Sequence, residues 1–374
     1  MPHFRRQQCR TVYTVLQLRD NKQANRCRSA KMKAPNISCS LGQAVHSQGR
    51  GEAITIPCRE LPLLFCTCVT IARTHKACKD FGFFYVENHG VSENVMAEVF
   101  RQTESFFSLS IDDKMAVKAD KDNRGYTPMH EQALDPDNQT KGDTKEGYYV
   151  FREPATDGEK HTRPLKGPNQ WPSEDLVPRW KTTMQEHFTR MHGVGVRLAG
   201  LLSAGLGLDA SAFDECFSEF AHVLRLLHYS REVSDPGKGV MSAGAHTDWG
   251  LMTLLATDEV PGLQVRLDGE WLDVPPRKGA FICNLGDMLQ RWQVATNDHL
   301  RSTVHRVVNK LGCERYSIPF FFEPNFDTEV ACFPQFCSAE NPAKYPPVKA
   351  GDYLLAKYSQ THQDFDGNQD DDGS

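Results

Sequence analysis

The chain has 374 residues, 39% of them hydrophobic and 24% charged. That is ordinary for a globular protein and excludes a disordered polymer, a collagen-like rod or a coiled coil. The net charge of −5 hides an uneven split: residues 1–50 hold ten Lys/Arg against the acid Asp20, leaving 33 bases and 47 acids beyond them. A body that acidic makes a poor nucleic-acid surface, because nothing offsets phosphate repulsion.

In chain order, residues 1–53 are polar and basic with no sustained period, and read as a leader without regular structure. An Arg-rich, acid-poor end is compatible with organelle targeting, a nucleic-acid arm or a leader of no consequence. Residues 54–165 form a first folded segment, the cap. Its longest apolar run, Leu61 to Ala72, is closed by Glu60 and Arg73. It is short of the roughly 18 residues needed to cross a bilayer, and reads as core. Phe81-Gly82-Phe83-Phe84-Tyr85-Val86 is a buried strand ending at the turn Asn88-His89-Gly90. Gly, Pro, Asp and Asn crowd residues 122–147, the composition of a long loop. Within 166–215, Val177, Trp180, Met184, Phe188, Met191, Val194, Leu198 and Leu201 recur at helical spacing, so a scaffold helix runs from near Ser173 to about Gly205.

From 216 to 325 the period changes. VLRLLHYS, LMTLLAT, GLQVRL, AFICNLG, STVHRVVN and RYSIPFFFEP are short runs bounded by Gly, Pro, Asp or Asn, the pattern of an antiparallel sandwich or barrel. Residues 326–363 carry a last helix over about 350–362, and 364–374 form an acidic tail. Twelve cysteines without a C-x-x-C pair give no zinc site and read as reduced thiols.

Chemistry concentrates in GAHTDWG. On a strand, His246 and Asp248 point to one face. With His305 from STVHRVVN they make two histidines and a carboxylate, a set that suits non-haem Fe(II) and leaves adjacent positions for a bidentate cosubstrate and O₂. His362-Gln363-Asp364 repeats the H-x-D spacing at the edge of a polar tail, where nothing completes a cage. Arg315 and Ser317 share a strand face and offer a guanidinium and a hydroxyl to an anion, most simply a dicarboxylate cosubstrate. His89 reads as a turn or packing residue, His228 as facing away from the iron, and Asp287 as fixing a turn by bonding to backbone.

On His246-Thr247-Asp248, His305, Arg315-Tyr316-Ser317 and DFGFFYVENHGV, the chain resembles the Fe(II)- and 2-oxoglutarate-dependent dioxygenases of the isopenicillin N synthase-like type, over about residues 75–360. The resemblance implies a mainly β protein with flanking helices: a double-stranded β-helix (jelly-roll) core with an N-terminal α/β cap. It implies iron held by His246, Asp248 and His305. It places the distal carboxylate of 2-oxoglutarate on Arg315, Ser317 and Tyr229, with ascorbate as an accessory reductant. The reaction implied is hydroxylation of a small molecule by O₂ with release of succinate and CO₂. Unpaired cysteines and a need to keep Fe(II) reduced point to the cytosol, with an organelle left open by the basic leader. Charge and hydropathy point away from nucleic-acid and membrane partners, and the expected state is a monomer. Where relatives open with an isoleucine-proline strand, this chain has ITIPCRELPLLFCTCVTIAR.

NRGYTP, LDPDNQTKGDTKEGYYV, GAFICNLGDMLQRW and AENPAKYPPVKAGDYL are similar to a plant subgroup that includes homoarginine 6-hydroxylase. A guanidino amino acid needs a carboxylate for its cation, and Glu146 is the candidate, with Tyr126 or Trp249 as aromatic walls. The bland alternative for Glu146 is a salt bridge with Lys145 or Arg152, and for Trp249 plain core packing. Two other classes share the fold: an ascorbate-type oxidase, and a non-catalytic small-molecule binder, which an intact ligand set disfavours.

Overall fold

The computed structural model describes residues 15–17, 63–154, 164–292, 300–334, 337–340 and 342–362. The cap comprises β1 (Val15–Gln17), α1 (Leu63–Asp80), β2 (Phe83–Glu87), α2 (Glu93–Phe107), α3 (Ile111–Met115), β3 (Gly125–Thr127) and β4 (Lys145–Phe151). After the scaffold helix α4 (Trp180–Gly205) come β5 (Val223–Tyr229), β6 (Ala243–His246), β7 (Met252–Thr257), β8 (Leu263–Leu267), β9 (Glu270–Asp273) and β10 (Ala280–Leu285). The chain continues through α5 (Asp287–Trp292), β11 (His305–Val307), β12 (Arg315–Phe322), β13 (Glu329–Val330), β14 (Val348–Lys349) and α6 (Ala350–Thr361).

Two sheets face each other. The larger runs β1-β2-β10-β7-β12-β5-β4-β3 and the smaller β6-β11-β8-β9. Every named pair is antiparallel except β1 with β2, so both the strand prediction and the jelly-roll core hold. Val15–Gln17 pair with Tyr85–Glu87 inside the stretch read as an irregular leader. The isoleucine-proline segment at 54–57 and the acidic tail lie outside the described residues. None of the described helices is long and apolar enough to cross a membrane.

The large sheet is buried on both faces, and its period of two sorts the side chains. On β12, Ile318, Phe320 and Phe322 join the core beneath the helices, while Arg315, Ser317, Pro319 and Phe321 face the small sheet across a cavity. On β5, Leu224 and Leu226 turn to the helices and Val223, Arg225, Leu227 and Tyr229 to the cavity. The scaffold helix seats closely on this layer. Gly195 of α4 lies so near Phe322 that an added Cβ would sit 2.3 Å from its ring. Between the sheets, Phe83, Tyr85, Leu227, Val265, Ile282 and Val307 form a second apolar cluster.

Candidate active site

His246 ends β6 and His305 begins β11, and the two residues are direct cross-strand partners. Their rings lie 4.3 Å apart. Each Nδ1 is spent on a backbone carbonyl two residues back, His246 on Gly244 at 2.8 Å and His305 on Thr303 at 3.0 Å. A donor at Nδ1 leaves the lone pair on Nε2, pointing to the third member. That member, Asp248, places Oδ1 3.7 Å from His246 Nε2 and 3.5 Å from His305 Nε2. Asp248 lies beyond the end of β6, so it joins His246 through the turn after the strand and not by strand alternation. Its other oxygen accepts from Thr253 Oγ1 at 2.5 Å and Asn284 Nδ2 at 2.6 Å. These residues, on β7 and β10 of the opposite sheet, aim the free oxygen at the histidines.

One ligand atom from each of the three residues falls within 4.8 Å of the others. Burial, helped by the neighbouring His305, pushes His246 down to about 4. Burial alone would raise Asp248, but the two imidazoles hold it well below the usual carboxylate range. Burial opposes charge on His305 as well, yet the Asp248 carboxylate outweighs it and the net direction is up. Two imidazole nitrogens and one carboxylate oxygen, crowded and buried, are the donor set of a divalent transition metal.

Across the cavity, Arg315 pairs with Tyr229 in register between β12 and β5. Its guanidinium lies 4.8 Å from the Tyr229 ring, with Nε on the Val260 carbonyl at 3.2 Å. Nη1 is buried with no hydrogen-bond partner. Ser317 Oγ reaches Tyr229 Oη at 3.2 Å, so guanidinium and two hydroxyls converge on one spot. A buried, unsatisfied guanidinium N–H is costly unless a ligand accepts from it, and a carboxylate is the matching shape.

Two family descriptions match the chain. Residues 69–174 match "non-haem dioxygenase in morphine synthesis N-terminal" and residues 221–324 match the 2OG-Fe(II) oxygenase superfamily. The chain is 35% identical to kihadalactone A synthase of Citrus sinensis, over 83% of its own length and 96% of the relative's. It is 36% identical to the homoarginine-6-hydroxylase of Glycine max, over 70% and 81%. The chain belongs to the 2OG-Fe(II) oxygenase superfamily. Among solved structures, the full-length Neurospora crassa enzyme in complex with alpha-KG and thymine superposes with a TM-score of 0.69 at 30% identity, covering 79% of this chain and 92% of that one. This oxygenase is therefore a 2-oxoglutarate-dependent dioxygenase of the Fe(II) class, using Fe(II), 2-oxoglutarate and O₂.

In this oxygenase the other residues singled out from the sequence divide sharply. Trp249 lines the cavity, its ring 5.1 Å edge-on to Tyr358 of α6. Glu146 and Tyr126 do not line it. Glu146 sits at an even position of β4, on the helix side of the sheet with Tyr148 and Val150, whereas Lys145 and Tyr149 face the cavity. Its carboxylate accepts from Lys114 Nζ at 2.8 Å, Tyr126 Oη at 2.5 Å and His228 Nδ1 at 2.7 Å. The salt bridge is real, but its partner is Lys114 of α3, not Lys145 or Arg152.

His228 faces this network and stacks on Tyr316, away from the metal triad as expected. His89 accepts from Val91 N and packs on Phe281, a turn histidine. Asp287 accepts from the side chains of Thr247 and Tyr353, tying the ligand turn to α6, where a backbone contact was anticipated. His362 is buried and hydrogen-bonded to Tyr149 Oη at 2.8 Å, so the H-x-D decoy holds part of the roof.

The cavity encloses about 880 Å³ of empty space, mouth included. Sequence reasoning missed three charged residues on its wall. Lys145 is paired with Asp143, and burial pushes it down to about 8. Burial pushes Glu323 up to about 8, with Asp248 and Asp287 adding to it. Arg225, two alternations along β5 from Tyr229, is the third. That spacing was the available signal: residues 225, 227 and 229 of one strand share a face.

Proposed function

We propose that His246, Asp248 and His305 hold the iron, that Arg315, Ser317 and Tyr229 hold the distal carboxylate of 2-oxoglutarate, and that the chain hydroxylates a C–H bond of a small molecule in the cavity between them. The supporting observation is that Arg315, whose Nη1 is buried without a partner, lines the same cavity as the two-histidine, one-carboxylate cluster. When bound, iron couples O₂ reduction to decarboxylation of 2-oxoglutarate, one oxygen atom entering succinate and the other the substrate. The chain's own part is positional. Thr253 and Asn284 lock the Asp248 rotamer, the Gly244 and Thr303 carbonyls set both imidazole tautomers, and Leu255, Leu263 and Pro319 keep the chamber dry.

For the substrate, a guanidino amino acid such as homoarginine draws support from the Glycine max relative's name. In the cavity, the carboxyl that a guanidinium would need is Glu323, since Glu146 is sealed behind the sheet. The test is anaerobic titration with Fe(II) and 2-oxoglutarate, then admission of air with a substrate panel including homoarginine and arginine, for wild type and His246→Ala. Substrate-stimulated succinate that His246→Ala loses is the expected result. Wild-type protein that binds neither iron nor 2-oxoglutarate would sink the metal-site assignment. Turnover stimulated by other compounds but not by guanidino ones would remove that substrate class alone.

A further inference from the structure

Resting on the hydroxylase reading, we infer a substrate class: Arg225 anchors a carboxylate on the substrate, so the enzyme acts on organic acids. The argument begins with charge. Three cationic side chains line the cavity, and two have assigned counter-ions. Lys145 is paired with Asp143, and Arg315 faces the cosubstrate position beside Tyr229 and Ser317. Arg225 forms no ion pair among the described residues. Its Nη1 donates to the neutral amide oxygen of Gln132 at 2.8 Å, and its guanidinium lies 4.3 Å from the Tyr149 ring centroid. Its Nε is buried without a partner, and the residue is only 5% exposed. A guanidinium held that dry is unfavourable unless an anion joins it.

Geometry separates this charge from the cosubstrate. Tyr229 is the rung opposite Arg315, and Arg225 lies four residues away on the same face of β5, roughly 13 Å along the strand. One 2-oxoglutarate, stretched between the metal cluster and Arg315, does not extend to it. Glu323 lines the same cavity but packs its carboxyl against the backbone of Gly250, within reach of the metal turn and in no ion pair with Arg225.

The surroundings are built to hold the guanidinium in place. Gly147 of β4 leaves the room it occupies: an added Cβ there would sit 3.2 Å from Arg225 Nε. Gln132 is clamped from above, because it bridges to His362 and the adjacent Ala133 N donates to Thr361 O at the end of α6. Tyr149 is pinned by His362. A planar cation held on an aromatic face in the wall of the cavity, with no counter-ion among the described residues, suits a carboxylate.

The probes are metabolite-sized carboxylic acids, each beside its amide, including 3-phenylpropionate with 3-phenylpropionamide and L-homoarginine with its amide. Binding is read anaerobically on the Fe(II)- and 2-oxoglutarate-loaded protein by the visible absorption of that complex, and on the apo protein by thermal shift. Acids should bind and their amides bind roughly 10- to 100-fold more weakly. Arg225→Gln should impose the same loss on the acids and none on the amides, with 2-oxoglutarate affinity retained. Arg225→Lys, which keeps the charge, should fall between. Acids and amides that bind alike, acid affinity unmoved in Arg225→Gln, or a set in which no acid binds would each overturn the assignment. Failure of the loaded complex to form in wild type would instead count against the hydroxylase reading, while the apo thermal shifts still decide Arg225.

Discussion

Replacing Glu146 by Ala should damage stability and leave substrate recognition alone. The carboxylate is 5% exposed and accepts three hydrogen bonds, from Lys114, Tyr126 and His228. Truncation leaves the Lys114 ammonium, 11% exposed, without its counter-ion, and Tyr126 Oη and His228 Nδ1 without their acceptor. Removing one partner of a buried ion pair costs roughly 3–5 kcal/mol, about 4–6 °C in melting temperature for a protein of this size. Glu146→Gln, which keeps an acceptor oxygen, should lose less.

The pH dependence carries a sign. Burial works to raise the Glu146 carboxyl, but His228, Lys114 and Tyr126 together hold it below its ordinary value of 4.5. Its contribution is therefore fully present above about pH 4.5 and fades as pH falls through the lowered native value. Urea denaturation of wild type and Glu146→Ala at pH 7 and pH 4 measures this, and the gap should narrow at the lower pH. Succinate assays should give an unchanged KM for 2-oxoglutarate and for any substrate. A variant with the wild-type midpoint, or one with altered substrate preference at wild-type stability, would refute the placement of Glu146 behind the sheet.

His187 on α4 is buried with neither ring nitrogen hydrogen-bonded, and burial pushes it down to about 4. Because the unfolded state takes up the proton first, this residue should cost about 2 kcal/mol of stability between pH 7 and pH 5. His187→Leu should remove that part of the slope, and denaturation at the two pH values that shows equal slopes would contradict it. Arg315→Leu should weaken 2-oxoglutarate binding roughly 10- to 100-fold in anaerobic titration while leaving Fe(II) binding intact; a parallel loss of iron would mean that Arg315 supports the fold and not the cosubstrate. Gly195→Ala should lower stability by about 1–3 kcal/mol through overpacking against Phe322, read by chemical denaturation. A neutral result there would show that α4 sits less closely on β12.

Much of the candidate site is legible in the sequence. His246 and Asp248 stand two apart, His305 follows on a separate strand, and Arg315 with Ser317 occupies alternate positions of one strand. Those spacings survive in the fold because they are local or lie on well-bounded strands. Asp248 shows the limit: it meets His246 through a turn after the strand end and not by the strand alternation that the two-residue spacing suggests. The scaffold helix is readable from its apolar period, with α4 starting at Trp180 after a turn at Ser173.

The misassigned acid failed for a different physical cause. In KEGYYVF every position of β4 is buried, since helices cover one face of the sheet and the small sheet covers the other. A strand buried on both faces loses the polar–apolar alternation that would say which way a side chain points. Sequence alone therefore determined the element types, the candidate cluster of His246, Asp248 and His305, and the family resemblance, all of which depend on residues near in the chain or on short motifs. The tertiary structure decided which face of β4 and β5 meets the cavity, and so sent Glu146 to Lys114 and brought Arg225 inside. That choice rests on the register of β4 with β5 and of β5 with β12, joining residues from 72 (Phe151 with Val223) to 98 (Phe321 with Val223) apart in sequence, and no local pattern encodes it.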